Sequence, residues 1–182
     1  MVDTESRHIK IHTMQDFNGM RRSGKLAAEA LDFITPFVKP GVTTDELDKR
    51  CHDFIMDHSA IPAPLNYKGF PKSICTSLNH VVCHGIPSKD KILQNGDIIN
   101  VDVTVILDGW HGDSSRMFAA GKINQKVENL LKTTYECLLI GIKNAKPGQY
   151  LGDVGYEIQK YAESKNYSVV RDFCGHGIGK QF

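Results

Sequence analysis

Apolar residues recur at helical spacing in four stretches of this chain, and alternate with polar ones in another. From Met14 to about Phe37 the run MQDFNGMRRSGKLAAEALDFITPF places Leu26, Ala27, Ala30, Leu31 and Ile34 on one face, which predicts an amphipathic helix ending near Pro36. Lys39-Pro40-Gly41 then breaks the chain. A second helix is predicted from Thr43, which forms a capping box with Glu46 three residues on, and Leu47, Cys51, Phe54 and Ile55 supply its apolar stripe. Helical periodicity returns from Gln125 through VENLLKTTYECLLIGIKNA, and again from about Asp153 to Lys165. Between the two helix pairs, Pro62, Pro64, Gly69 and Pro71 mark an irregular stretch leading into SICTS. IINVDVTVILDGWHGDSSRMFAAG follows, a β-hairpin signal with its turn at Asp108-Gly109, and YSVVRDFCG is predicted to be a strand.

Lys146-Pro147-Gly148 repeats the earlier Lys-Pro-Gly break. Each break follows a long helix and precedes a shorter one, which predicts an internal duplication, although Pro-Gly after a helix is also common without one. On that reading one domain, residues 1–182, holds a first half of about 14–121 and a partial second half of about 122–182. The second half has one predicted strand where the first has a long β-rich stretch.

Composition narrows the class. With 182 residues, 41% of them hydrophobic and 24% charged, the chain suits one well-buried globular domain. Twenty-two basic and 21 acidic residues give a formal charge of +1, without the basic excess of a nucleic-acid-binding surface. Five cysteines (Cys51, Cys75, Cys83, Cys137, Cys174) contain no C-x-x-C pair and an odd one over, so free thiols in a reducing compartment are expected. MVDTESRHIKIHT lacks a signal-peptide core and no run approaches a membrane span, so the expectation is a soluble, cytoplasmic protein with no membrane or nucleic-acid partner.

The hairpin carries the first candidate chemistry. A two-residue turn at Asp108-Gly109 pairs Leu107 with Trp110, Thr104 with Asp113 and Asp102 with Ser115. Asp102 and Asp113 then project from one face as diagonal neighbours, about 7–8 Å apart at Cβ or somewhat less. Either they share a cation, which relieves the repulsion of two carboxylates, or both face water on an exposed sheet surface. Asp108 is explained by the turn. His176, in GHGIG, adds an unobstructed imidazole, and two aspartates with a histidine make a mixed N/O set suited to Mn, Fe, Co or Zn. His84, in HVVCHGIP, is a second H-G-I histidine for the same cavity, or a plain loop histidine. Cys83 reads as packing. His111 shares the aspartates' face and could line the site without being a ligand, while His8, His12, His52, His58 and His80 have no such context.

NYKGFPKSICTSLNHVVCHGIP, GDIINVDVTVILDGWHGDSSRMF and GHGIG, in this order and spacing, resemble type I methionine aminopeptidase, from IKIHT onward. The resemblance implies an α/β (α+β) pita-bread fold, two pseudo-symmetric halves around a metal site, with the second half incomplete here. It implies that Asp102, Asp113 and His176 are metal ligands, and that His84 hydrogen-bonds the scissile amide and helps stabilise the tetrahedral intermediate. Tyr67, Phe70, Cys75 and Phe182 match positions that line the pocket for the methionine side chain, while Lys68 stands where some relatives have another residue. The implied reaction is removal of the initiator methionine from nascent polypeptide N-termini, near the ribosome, where the second residue is small. It uses two divalent ions per full site, of Co, Mn, Fe or Zn. A full-length enzyme of this kind is expected to be a monomer. The family's ligand set also includes two glutamates, expected beyond Phe182 together with a further histidine, so the chain reads as C-terminally truncated, with little turnover of its own expected. The alternatives are a non-catalytic pita-bread remnant that acts as a binding module, and a prolidase-like peptidase. VVCHGIP and the lack of a long N-terminal domain speak against the latter.

Overall fold

A computed structural model describes residues 11–182. His8 and the start of the IKIHT match lie outside the described residues. Helix α1 (Met14–Ile34) begins with a capping box between Thr13 and Asp16, and runs into a 3-10 turn at Thr35–Phe37. Helix α2 (Thr44–Asp57) starts at Thr43, whose hydroxyl accepts from the Glu46 N–H while the Glu46 carboxylate accepts from the Thr43 N–H. Strands β1 (Ile61–Pro62), β2 (Cys75–Leu78), β3 (Asp97–Leu107) and β4 (Trp110–Ala120) form one antiparallel sheet. Helices α3 (Gln125–Asn144) and α4 (Leu151–Ser164) follow and pack on each other. Among the described residues no helix is long and apolar enough to cross a membrane.

Strand β3 organises the sheet. It pairs with β4 along its whole length, with β2 from Ile99 to Asp102, and with β1 at Val105 and Ile106. The hairpin register is the predicted one: Leu107 faces Trp110, Thr104 faces Asp113 and Asp102 faces Ser115. Asp108 (φ 51) and Gly109 (φ 77) both occupy the left-handed region, as a two-residue turn of this kind requires. Because side chains alternate, Ile99, Val101, Val103 and Val105 all point to one face, where they are fully buried. Against them lie Leu26, Ala27, Ala30, Leu31 and Ile34 of α1, with Leu47, Cys51 and Ile55 of α2. Burying each large aliphatic side chain contributes about 1.5–3 kcal/mol, so this one face supplies most of the local driving force.

Helix α1 comes unusually close to the sheet. A Cβ on Gly112 would lie 2.2 Å from the backbone of Ser23, so only glycine fits there.

The helix–break–helix layout occurs twice at the level of single hydrogen bonds. Gly41 (φ 90) and Gly148 (φ 87) take the same left-handed conformation, three residues before the first residue of α2 and of α4. The Val42 N–H donates to Lys39 O, and the Gln149 N–H to Lys146 O. At the far ends, Ser59 (φ 57) and Asn166 (φ 64) turn the chain identically, with Ala60 N–H donating to Ile55 O and Tyr167 N–H to Ala162 O.

One prediction is corrected. YSVVRDFCG is not a strand, and residues 165–182 contain no regular element. A strand exists only through a ladder to a neighbour, and no strand among the described residues lies beside this segment, so β-propensity alone leaves it irregular.

Two outcomes follow from this packing. Gly112→Ala is expected to lower stability by about 1–3 kcal/mol, through overpacking against α1, read from the midpoint of chemical unfolding; an unchanged midpoint means that α1 can shift freely. On α3 and α4, Tyr135, Leu138, Ile142 and Tyr156 are each more than half exposed. Residues 1–182 are therefore expected to self-associate as concentration rises in sedimentation velocity, against which a single monomer boundary would count.

Candidate functional site

The face of β3 opposite the core carries Asp102 and Thr104, and Asp113 joins them from β4. Thr104 Oγ1 donates to Asp113 Oδ1 at 3.0 Å, which orients that carboxylate. A cavity of about 550 Å³ opens over this face. Asp102, Asp113, His176 and His84 all line it, and so do Tyr67, Phe70, Cys75 and Phe182. All eight candidates from the sequence are thus brought together, although they come from three strands and three loops.

At the polar end, Asp102 is half-buried and sits against Asp113. Burial, and next the negative charge of Asp113, push the Asp102 carboxyl up to about 6, with His176 pulling weakly the other way. His176 Nε2 stands 3.7 Å from Asp113 Oδ2. Its Nδ1 lies 3.1 Å from Gly177 O, a contact that turns the ring so that Nε2 faces the aspartates. Two carboxyl groups this close repel as anions and a cation between them removes the repulsion, so the mixed N/O set fits a divalent metal ion. Among the described residues no three His, Cys, Asp or Glu side chains converge tightly enough to enclose an ion.

Most of the remaining wall is apolar. Phe182 packs on Tyr67 with ring centroids 4.8 Å apart, and Tyr67 OH donates to Phe182 O at 3.3 Å. The Cys75 thiol is buried, and burial followed by the charge of Asp102 pushes it to about 12, so it stays a neutral, soft lining group. All five cysteines are free. Lys68, in the left-handed region (φ 47), also lines the cavity and extends its ammonium over the Tyr67 ring.

His84 sits at the exposed rim in the left-handed region (φ 54), a costly conformation for a non-glycine residue. It is held there by its neighbour. Gly85 O accepts from the Thr76 N–H at 2.7 Å, Gly85 N–H donates to Ser77 Oγ, and a Cβ on Gly85 would strike the Thr76 carbonyl at 2.1 Å. His84 therefore hangs from strand β2 and faces the cavity mouth.

His111 does not line the cavity. Its ring is buried, stacks on Phe182 (5.6 Å, 7°) and places Nδ1 3.1 Å from Gly179 O, while its backbone N–H donates to the same carbonyl at 2.8 Å. It anchors the GHGIG segment from behind. Thr104 was the residue missed in the sequence, and the hairpin register that pairs it with Asp113 contained the signal.

Residues 18–182 match metallopeptidase family M24. The methionine aminopeptidase of Rickettsia prowazekii is 65% identical over 174 residues, which are 96% of this chain and 67% of that protein. Its crystal structure superposes with a TM-score of 0.94 over 96% of this chain and 70% of that one. Methionine aminopeptidase from Thermotoga maritima, 34% identical, gives 0.92 over 95% of this chain and 70% of the other. An Xaa-Pro dipeptidase from Bacillus anthracis, 22% identical, covers 94% of this chain and 47% of its own with a TM-score of 0.76, a likeness of fold alone. The chain spans about two thirds of the length of the curated relatives it matches.

The raised Asp102 acid gives a pH dependence with a definite sign. Its pKa in the fold, about 6, lies above the 3.8 of a free carboxyl. Its contribution to stability is therefore complete below the free value and lost as pH rises through about 6. A divalent cation favours the carboxylate and reverses that loss. The rise in melting temperature caused by Mn(II) is expected to be larger at about pH 7.5 than at about pH 5, and Asp102→Asn is expected to remove the difference. Scanning fluorimetry checks this, and equal shifts at both pH values would refute it.

Proposed function

The chain belongs to metallopeptidase family M24, among its methionine aminopeptidases, and we propose that its cavity receives the N-terminal methionine of a peptide and presents the first peptide bond to the aspartates. The observation that supports this is convergence: an apolar slot and an N/O donor set line one and the same cavity. The thioether would lie between Tyr67, Phe70, Cys75 and Phe182, where soft and aromatic surfaces suit sulfur. That contact brings the scissile carbonyl toward Asp102, Asp113 and His176. Asp113 is oriented for this by Thr104, and the His176 ring by the contact of its Nδ1 with Gly177 O. His84, poised at the rim, would hydrogen-bond the scissile amide and then the charge that develops on it.

The family is one of metallopeptidases. Two divalent ions per full site, of Co, Mn, Fe or Zn, fit these donors in our reading, and when bound they supply the Lewis acidity that polarises a carbonyl and makes water reactive near neutral pH. The substrates would be nascent polypeptides with a small second residue, met near the ribosome in the cytoplasm, with neither nucleic acid nor membrane as partner.

Binding of L-methionine amide is the direct test. Calorimetry in the presence of Mn(II) should show saturable binding that weakens at least about ten-fold in Tyr67→Ala, by loss of a packed aromatic wall, and that L-lysine amide does not reproduce. Equal binding of both amides overturns the reading. Alongside it, any release of methionine from Met-Gly-Met-Met with Mn(II) or Co(II) should fall by about 100-fold or more in His84→Ala.

A further inference from the structure

The wall of the methionine slot that contains Phe70, Pro71 and Cys75 is a loop entering a short strand, not a rigid element. Loops are the mobile part of a fold, and a slot that selects one side chain needs fixed walls. The fixing comes from the opposite side of the loop, from helix α2. Asp45, Asp48 and His52 stand at i, i+3 and i+7 of that helix and so share one face. Asp48 is buried, with its side chain 10% exposed, and its Oδ1 accepts two consecutive backbone N–H groups, Ser73 at 2.8 Å and Ile74 at 3.1 Å. Lys72 pairs with Asp45 and places its ammonium 3.8 Å from Asp48 Oδ2. His52 Nδ1 and the Ser73 hydroxyl share a hydrogen bond at 2.8 Å.

Resting on the methionine-slot reading above, we propose that Asp48 is a positioning residue for side-chain selectivity: by clamping the Ser73 and Ile74 amides it sets the place of Cys75 and Phe70, and with it the width of the slot. A buried carboxylate is an expensive way to hold a loop, because its desolvation must be offset by hydrogen bonds and a counter-charge. It has one property an apolar contact lacks. A carboxylate oxygen that holds two adjacent N–H groups fixes the backbone in direction as well as in distance. Cys75, the residue after Ile74, takes its position from that backbone, and Phe70 follows through Pro71. Without the clamp the wall slackens, and a slot fitted to an unbranched thioether then admits a γ-branched side chain. The effect belongs to selectivity, since no atom of Asp48 lines the cavity.

The test compares L-methionine amide with L-leucine amide by calorimetry, on the 182-residue chain with millimolar Mn(II). In Asp48→Ala the preference for methionine should fall about ten-fold, the scale set by one badly accommodated methylene. Asp48→Asn, whose amide oxygen still accepts both N–H groups, should retain most of the preference. A merely structural role lowers the melting temperature of Asp48→Ala and leaves the preference unchanged, which overturns the proposal. If the wild-type chain binds neither amide, the methionine reading itself fails and this inference falls with it. Hydrogen exchange in the wild type decides the matter even where Asp48→Ala does not fold: the Ser73 and Ile74 amides should exchange as slowly as those of strand β2. Exchange at the rate of open-loop amides would show that no clamp exists.

Discussion

Everything in this molecule hangs on the two-residue period of one β-hairpin. In β3 the odd positions, Ile99 to Val105, are sealed under α1, and this pins the even positions, Asn100, Asp102 and Thr104, to the opposite face. A slip of one residue would send Asp102 into the aliphatic core and four β-branched residues into solvent. The hydrophobic free energy of the buried face therefore fixes where the carboxylates stand. The left-handed pair Asp108-Gly109 sets the register, and Gly112 lets α1 settle directly on β4. The placement of Asp102 beside Asp113, electrostatically uphill as it is, is held by forces acting on the other side of the sheet.

That arrangement explains what could be read from the sequence. The hairpin, its register and the diagonal aspartates depend on neighbours within a few residues, so pattern and turn chemistry sufficed. The helix faces and the Thr43–Glu46 capping box were legible for the same reason. The duplication was visible as two Lys-Pro-Gly breaks, and the matching turns at Ser59 and Asn166 show how deep it goes. YSVVRDFCG was misread because a strand is a property of a pair, and its residues alone do not reveal the partner. Asp48 and Lys72 gave no local signal either, and the shared face that marked His111 did not reveal that it anchors Gly179. Asp48 looks like one more acid on a helix until the chain folds back over it at Ser73.

The site divides its work between kinds of structure. The charged groups from β3 and β4 stand on the most rigid element, where a carboxylate stays aligned against the repulsion of its neighbour. The groups that touch a side chain, Tyr67, Phe70 and Phe182, stand on irregular segments, where the shape of a slot can be adjusted without disturbing the sheet. Irregular segments have to be held from outside, and each of these is. Asp48 holds the Phe70–Cys75 wall, His111 holds the GHGIG segment through Gly179 O, and Gly85 hangs His84 on β2.

These three supports share a chemical logic. Each is a backbone group gripped at a point one to four residues from the functional side chain, so the attachment falls on the backbone and not on that side chain. Among the described residues His84 has no hydrogen-bond partner, because Gly85 carries the attachment. His176 presents Nε2 to the aspartates because its Nδ1 contact and the nearby Gly179 carbonyl hold the segment from the other side. A site built this way separates the energy that holds its geometry from the energy available for binding.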